Sequence, residues 1–291
     1  MYEKLHWGII GCGNVSSDFV NAINYTTHNH VISAVAARNL NKAKEFVSNN
    51  GLKDAKAYGS YTELFKDEIV DIVYIGVLNH CHKPLVLEAL ENGKNVICEK
   101  PIGLSFSETK EMIEKAKEKG LFLMEGYWTC FFPAFNALQE NWKKIENFNV
   151  VLSECGFAHH VSVDLWSSSV IEFESGKIAS IFNTALATTP STFVVSGSNG
   201  YVKIPETLWC PTKIHVNIDS KLEEICFELN KPKDGKEKDF RYPKAQGFCF
   251  EQDHVFECLQ KGLKESPIVT WEKSLEIAKV LEEIRRQIGV L

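Results

Sequence analysis

Strand and helix patterns alternate through the first 126 residues, which predicts a doubly wound α/β domain built on a parallel sheet. A Gly11-Cys12-Gly13 turn ends the first apolar run, the position of the phosphate-binding turn in a Rossmann domain. From Phe148 to about Leu229 strand patterns follow one another with turn signals between them, predicting an α+β domain with an open, mainly antiparallel sheet. The expected division is therefore 1–126 and 127–291.

Leu5 to Ile10 is the first strand, and Asp18 to Ile23 reads as a helix with Phe19, Val20 and Ile23 on one face. Val31 to Ala37 is a continuous apolar strand of the kind buried on both faces of a parallel sheet. Asn41 to Val47 is helical. Ser60 with Glu63, and Ser105 with Glu108, have the spacing of capping boxes, the second opening a helix that stops at Gly120. Val70 to Val77, Asn95 to Cys98 and Leu121 to Met124 are strands, and Pro84 to Leu90 is a helix.

Beyond Phe148 the expected strands are Val150 to Cys155, Ser168 to Phe173, Ile178 to Thr184, Thr192 to Val195 and Tyr201 to Ile204. Glu174-Ser175-Gly176-Lys177 and Gly197-Ser198-Asn199-Gly200 are the turns between them. Lys231 to Lys238 reads as a charged, solvated loop. Helices over Glu251 to Lys261 and Trp271 to Ile288 close the chain. The last carries an apolar stripe of Trp271, Leu275, Ala278, Leu281 and Ile284, suited to packing.

The 291 residues are 44% hydrophobic and 24% charged, with a formal net charge of -6 from 38 acidic and 32 basic side chains. That composition is globular, and its sign argues against a nucleic-acid face. No apolar run reaches the roughly 18 residues of a membrane span, and no signal peptide is visible, so the expected location is cytoplasmic. The nine cysteines include no C-x-x-C pair, and Cys12, Cys98, Cys226 and Cys258 read as small buried side chains. His80-Cys81-His82 lacks further ligands at a metal-binding spacing and reads as a loop after a strand, so no metal is expected.

Gly11 permits a tight turn, Gly13 lets backbone approach a pyrophosphate, and the following helix start, with Asn14 and Val15, offers N–H donors. Ser16 takes the third small position. At the end of the second strand the chain reads Ala36-Ala37-Arg38-Asn39, with no carboxylate to hold a ribose 2′-hydroxyl, and Lys42 follows. A guanidinium matches a phosphate bidentately, so NADP is expected as cofactor rather than NAD. Tyr74 to His82, including Asn79, and Cys98-Glu99-Lys100-Pro101 stand at carboxyl ends of expected strands, where open α/β sheets bind ligands. Lys100 is either buried against Glu99 or a donor to the reacting oxygen, its pKa lowered by burial or neighbouring charge.

Glu99-Lys100-Pro101 after a Gly11-x-Gly13 turn resembles the glucose-fructose oxidoreductase, inositol dehydrogenase and rhizopine-catabolism (Gfo/Idh/MocA) family. The stretches Ala34 to Arg38, Lys42 to Phe46, Ala57 to Tyr61, Leu121 to Glu125 and Trp128 to Pro133 are similar to the branch that oxidises vicinal diols and sugars with NADP. Trp209-Cys210-Pro211, Glu257-Cys258-Leu259 and Lys264 to Pro267 extend the likeness toward the C-terminus. The resemblance implies a hydride transfer between NADP and a diol or sugar hydroxyl of trans-dihydrodiol or D-xylose type, and a homodimer through the C-terminal sheet. It implies cofactor contacts from Gly11, Gly13 and Arg38, and roles in coenzyme binding or catalysis for Tyr74, His82 and Lys100. Trp128 falls on an expected aromatic wall of the substrate pocket, and Trp209 is placed there with it.

Two departures stand out. Cys130 replaces the arginine that relatives carry after Trp-Thr. Relatives also follow the strand end matching Glu154-Cys155-Gly156-Phe157 with a helix bearing Asp-x-Gly-x-Tyr, whose tyrosine is the acid/base group. Here Ala158-His159-His160 leads almost directly into Val161-Ser162-Val163-Asp164, and no Asp-x-Gly-x-Tyr occurs in the chain. The deficit near 157–163 is on the order of 35 to 45 residues, about a helix, a strand and their connections. Cofactor binding is expected to survive it. Catalysis then rests on Lys100, with His159, His160 or Tyr127 as substitutes for the tyrosine; binding of NADP(H) with little catalysis, and reduction of another sugar or ketone, are the alternatives.

Overall fold

The computed structural model describes residues 2–145, 166–173 and 175–289. The chain divides into two compact units: Met1–Phe131 with Leu229–Leu281, and Phe132–Glu228 with Glu282–Leu291. The first boundary lies near the expected 126, but the segment 229–281 returns to the first unit rather than staying with the second.

The first unit holds six parallel strands: β1 (Leu5–Ile10), β2 (His30–Ala36), β3 (Lys56–Tyr58), β4 (Ile72–Ile75), β5 (Asn95–Glu99) and β6 (Leu123–Gly126). Their order is β3-β2-β1-β4-β5-β6, so chain direction across the sheet reverses between β1 and β4 and leaves a crevice at their carboxyl ends. Side chains alternate by face. Trp7, Ile9, Ile72 and Tyr74 pack with α1 (Asn14–Ala22) and α2 (Leu40–Asn49). Ile10, Val73 and Ile75 pack with α3 (Tyr61–Phe65), α4 (His82–Glu91) and α5 (Phe106–Lys119). Every strand of the middle is buried on both sides, as its continuous apolar sequence requires.

Capping is realised at one of the two expected boxes. Ser105 Oγ accepts from Glu108 N–H at 3.2 Å, and Glu108 reaches back to accept from Leu104 N–H at 2.9 Å. Ser60 sits at the N-cap of α3 without a side-chain cap bond.

The charged side chains of 231–237 are exposed, as expected, while the backbone of 230–242 is tied to the first unit. Lys233 N–H donates to Asn24 O (2.7 Å), Tyr25 OH to Glu237 Oε2 (2.7 Å), and Lys238 N–H to Tyr25 Oη (3.0 Å). The Asp18 carboxylate of α1 accepts from the N–H groups of Arg241 and Tyr242, both at 2.8 Å. The segment is a strap bound along α1, and it delivers α7 (Phe248–Gln260) to the same sheet face, where Phe248, Val255 and Phe256 join the core. Trp271 and Leu275 of α8 (Trp271–Gln287) pack on the opposite face, and Trp271 Nε1–H donates to Leu123 O at 2.9 Å.

In the second unit β9 (Phe193–Gly197), β10 (Gly200–Ile204), β11 (Lys213–Ile218) and β12 (Lys221–Cys226) form an antiparallel meander. β7 (Trp166–Glu172) and β8 (Ile178–Thr184) pair as an antiparallel hairpin that, among the described residues, is not bonded to the meander. Asp219 and Ser220, both at positive φ, join β11 to β12 as a tight hairpin turn. α6 (Pro133–Trp142), with proline in its first turn, covers the meander through Ala134 and Leu138 against Val202, Ile204, Ile214 and Val216. The expected strand Val150 to Cys155, with Glu174, His159 and His160, lies outside the described residues. Cys226 is exposed and Cys12 half-buried, against expectation; Cys98 and Cys258 are buried.

Candidate active site

The crevice between β1 and β4 is built by backbone. Gly11 N–H donates to Ala36 O (3.0 Å) and Gly76 N–H to Ile10 O (2.9 Å), tying three strand ends together. Gly11 takes φ +97°, and a Cβ there would lie 2.6 Å from Gly76 O and 2.7 Å from Val77 Cγ1. Gly13 caps α1, and a Cβ on it would meet nothing within 4 Å, so the space above the helix start is open among the described residues. The residues present fit a dinucleotide phosphate there: an open glycine, an exposed Asn14 and unpaired first-turn N–H groups. Gly11→Ala is expected to cost about 1–2 kcal/mol from its backbone conformation alone, with more from the overlap. Thermal unfolding of the variant checks it, and an unchanged midpoint would contradict this geometry.

At the end of β2, Arg38 and Lys42 are exposed. Asn39 Oδ1 accepts from Asn41 N–H at 2.8 Å and starts α2, leaving Arg38 just before the helix. Tyr61 faces the same place. Burial raises its phenol pKa, the Arg38 charge pulls it back, and the thiols of Cys12 and Cys81 act on it as well. Cys12, in turn, feels Lys42. Cys12 and Lys42 line one pocket with Gly13 and Asn14, and the Arg38 charge reaches Tyr61 beside it. Nothing in the sequence singles out Tyr61, which stands one residue after an N-cap serine like any ordinary helix start.

Across the crevice, Tyr74 is fully buried, stacked on Phe19 with ring centres 3.8 Å apart, and its hydroxyl donates to Glu99 Oε1 at 2.7 Å. Glu99 is buried, and burial raises its carboxyl pKa against the opposing pull of Tyr74, the Lys100 charge and the Lys100 N–H. Lys100 itself is exposed, so the buried lysine of one sequence reading is not found. Asn79 is exposed in the turn after β4, and Val15 is half-buried against the core.

His82 is placed differently from its neighbours. It is 1% exposed, with Nδ1 2.9 Å from Pro101 O and Nε2 3.1 Å from Val77 O. Both ring nitrogens face carbonyl oxygens, and whichever carries the proton donates to its carbonyl, so the residue braces the loops after β4 and β5. That is the physical reason it does not present a nitrogen to a substrate, as a catalytic histidine must.

Trp128 stacks on Phe248 with ring centres 4.3 Å apart, in the first unit. Trp209 belongs to the second, where it lines a cavity of about 680 Å³ with Trp166, Phe182, Pro190 and Leu208. Tyr127 is half-buried beside Glu125, and its hydroxyl pKa is raised by burial and by that carboxyl. No group of three His, Cys, Asp or Glu side chains among the described residues could hold a metal ion, and no helix among them is long and apolar enough to cross a membrane.

Comparison with known proteins follows the same lines. Residues 5–127 match the GFO_IDH_MocA family, an oxidoreductase family with an NAD-binding Rossmann fold. The chain is 35% identical to the trans-1,2-dihydrobenzene-1,2-diol dehydrogenase of Sus scrofa, covering 98% of this chain and 97% of that one, and 31% identical to that of Xenopus tropicalis, covering 98% of each. The first alignment runs over 335 positions against a chain of 291, so the relative carries tens of residues without a counterpart here. Among solved structures, a 3-ketoreductase from Actinomadura kijaniata in complex with TDP-benzene and NADP superimposes with a TM-score of 0.77 at 17% identity, covering 97% of both chains. A levoglucosan dehydrogenase in complex with NADH and levoglucosan does so with a TM-score of 0.78 at 17% identity, over 97% of this chain and 96% of that one. The chain belongs to the Gfo/Idh/MocA oxidoreductase family.

Proposed function

We propose that this chain is an NADP(H)-dependent dehydrogenase acting on a vicinal diol or sugar hydroxyl, of the trans-dihydrodiol or D-xylose type. The observation that carries the reading is the pairing, around one crevice, of a cationic rim without a carboxylate at the end of β2 and an exposed lysine at the end of β5. NADP, when bound, supplies the hydride acceptor. The N–H groups at the start of α1, with Gly11, Gly13, Asn14 and Val15, hold its pyrophosphate, and Arg38 with Lys42 its 2′-phosphate. Tyr74, Asn79 and Glu99 shape the nicotinamide end. Lys100 donates a hydrogen bond to the reacting oxygen and stabilises negative charge developing there. His82 keeps the two flanking loops in register. Trp128, just after β6 in the first unit, is assigned to a substrate contact. A homodimer through the second unit's sheets and a cytoplasmic location belong to the same reading.

One observation favours a second reading, NADP(H) binding with little or no catalysis: the chain contains no Asp-x-Gly-x-Tyr. Loss of an acid/base group costs about 10²- to 10⁴-fold, which slows turnover without touching the cofactor site. NADPH titration followed by tryptophan fluorescence, paired with an assay of NADP reduction by a trans-dihydrodiol and by D-xylose, separates the two. Quenching with reduction is expected. Quenching without reduction by either substrate selects the second reading.

A further inference from the structure

Away from the crevice, a buried histidine links the first strand to α7. His30 opens β2, and its side chain is 0% exposed between the Trp7 indole of β1 and the Asp253 carboxyl of α7. Trp7 Nε1–H donates to His30 Nδ1 at 3.0 Å, and His30 Nε2 lies 3.1 Å from Asp253 Oδ1. The same carboxylate accepts the N–H of Thr27 (2.6 Å), its hydroxyl (2.8 Å) and the N–H of His28 (3.0 Å). Phe256 of α7 meets the imidazole edge to face, with ring centres 5.4 Å apart. Two further titratable groups act on it. His28 is stacked on Phe256 with Nε2 3.6 Å from Glu257 Oε1, and the Lys233 ammonium of the strap donates to Thr26 Oγ1 (2.7 Å) and His28 O (2.8 Å).

An indole nitrogen donates and never accepts, so His30 Nδ1 carries a lone pair and no proton. A neutral imidazole then has its one proton on Nε2, where the carboxylate receives it. Trp7, His30 and Asp253 therefore form a chain of hydrogen bonds with a single direction. A second proton has no acceptor. On Nδ1 it would face the indole N–H across 3.0 Å, two buried donors pointed at each other. A histidine beside a carboxylate ordinarily takes up a proton more readily. Here burial lowers the ring pKa, Asp253 opposes that, and the Lys233 and His28 charges add to the lowering. Asp253 keeps its charge: against burial, the hydrogen bonds from His30, Thr27 and His28 hold its carboxyl below the usual range.

We propose that His30 is an acid-sensitive latch, a neutral Nε2–H imidazole that fastens α7 to β1 and lets go when it takes up a second proton. The helix it fastens also seats Phe248 against Trp128. The second proton is excluded from the folded chain and accepted by the unfolded one near the ordinary histidine value of about 6.5. The latch therefore contributes fully to stability above that pH. Below it the contribution falls, by up to about tenfold in the folding equilibrium per pH unit, until the folded ring is itself protonated. Asp253 is ionised in both states above about pH 5 and adds little to this slope.

Long-range proton–nitrogen NMR of the imidazole rings in the full chain tests the latch without substrate or cofactor. At pH 7 the ring whose signals His30→Gln removes is expected to show an unprotonated Nδ1 and a protonated Nε2. If His30→Gln does not fold, the Overhauser contact with the Trp7 indole N–H identifies that ring instead. Trp7→Phe keeps an aromatic ring and deletes the opposing donor, so His30 should titrate about one pH unit higher in it. Urea unfolding midpoints should fall more steeply from pH 7 to pH 5 in the wild type than in His30→Gln, where the latch cannot titrate. His254, held by burial to a pKa of about 4, lowers stability over that range in both chains alike. An Nδ1–H or doubly protonated ring at pH 7 would overturn the tautomer. An unchanged titration in Trp7→Phe, or parallel pH dependences of stability in wild type and His30→Gln, would overturn the latch.

Discussion

Replacing Lys100 by methionine is expected to lower turnover by about 10²- to 10⁴-fold while the chain still binds NADPH. The side chain is exposed at the end of β5, next to a buried Glu99 on which its charge acts, and the proposal places it beside the reacting oxygen. Methionine keeps length and apolar volume and removes the charge and the three donors. The loss should therefore fall on kcat, with a far smaller change in NADPH affinity, because an interaction made in the transition state is the one removed. Steady-state kinetics with a fluorescence titration decides it: unchanged kcat in an active preparation excludes the lysine from the chemistry.

The second large effect is expected at Arg38. A charge-assisted contact to the 2′-phosphate is worth about 1.5–3 kcal/mol, so Arg38→Ala should weaken NADPH roughly 10- to 150-fold. NADH lacks that phosphate and should lose little. The crevice rim carries Lys42 as a second cation, which sets a floor under the loss and makes the double variant Arg38→Ala, Lys42→Ala weaker still. Equal losses for the two cofactors would defeat the assignment of this rim to NADP.

Much of the first unit is legible in sequence because its central strands are buried on both faces and read as unbroken apolar runs. β3 is the exception: three residues at the sheet edge, Lys56-Ala57-Tyr58, are too short to show any period. β12, Lys221 to Cys226, is an edge strand with Leu222 63% exposed, and Lys-Leu-Glu-Glu-Ile-Cys has the composition of a helix. α6 begins at Pro133, a residue compatible with a helix start but equally with a turn, so its first turn carries no distinctive signal. The glycine turn and the lone Arg38 at the end of β2 are local features that the sequence displays by itself. The His82 brace is not one of them, because it depends on which distant carbonyls the fold brings alongside the ring. The strap over 230–242 makes the same point: its charges are exposed as they look, but its backbone ties to Asp18 and Tyr25 show only in the fold.

Hydride transfer itself is open to one direct measurement. D-xylose deuterated at C1, and a trans-dihydrodiol deuterated at its carbinol carbons, are each incubated with the full chain and NADP, and the recovered cofactor is weighed by mass spectrometry. NADPH carrying one deuterium from either substrate is the predicted result. Cofactor that binds yet remains oxidised and unlabelled with both would contradict the account.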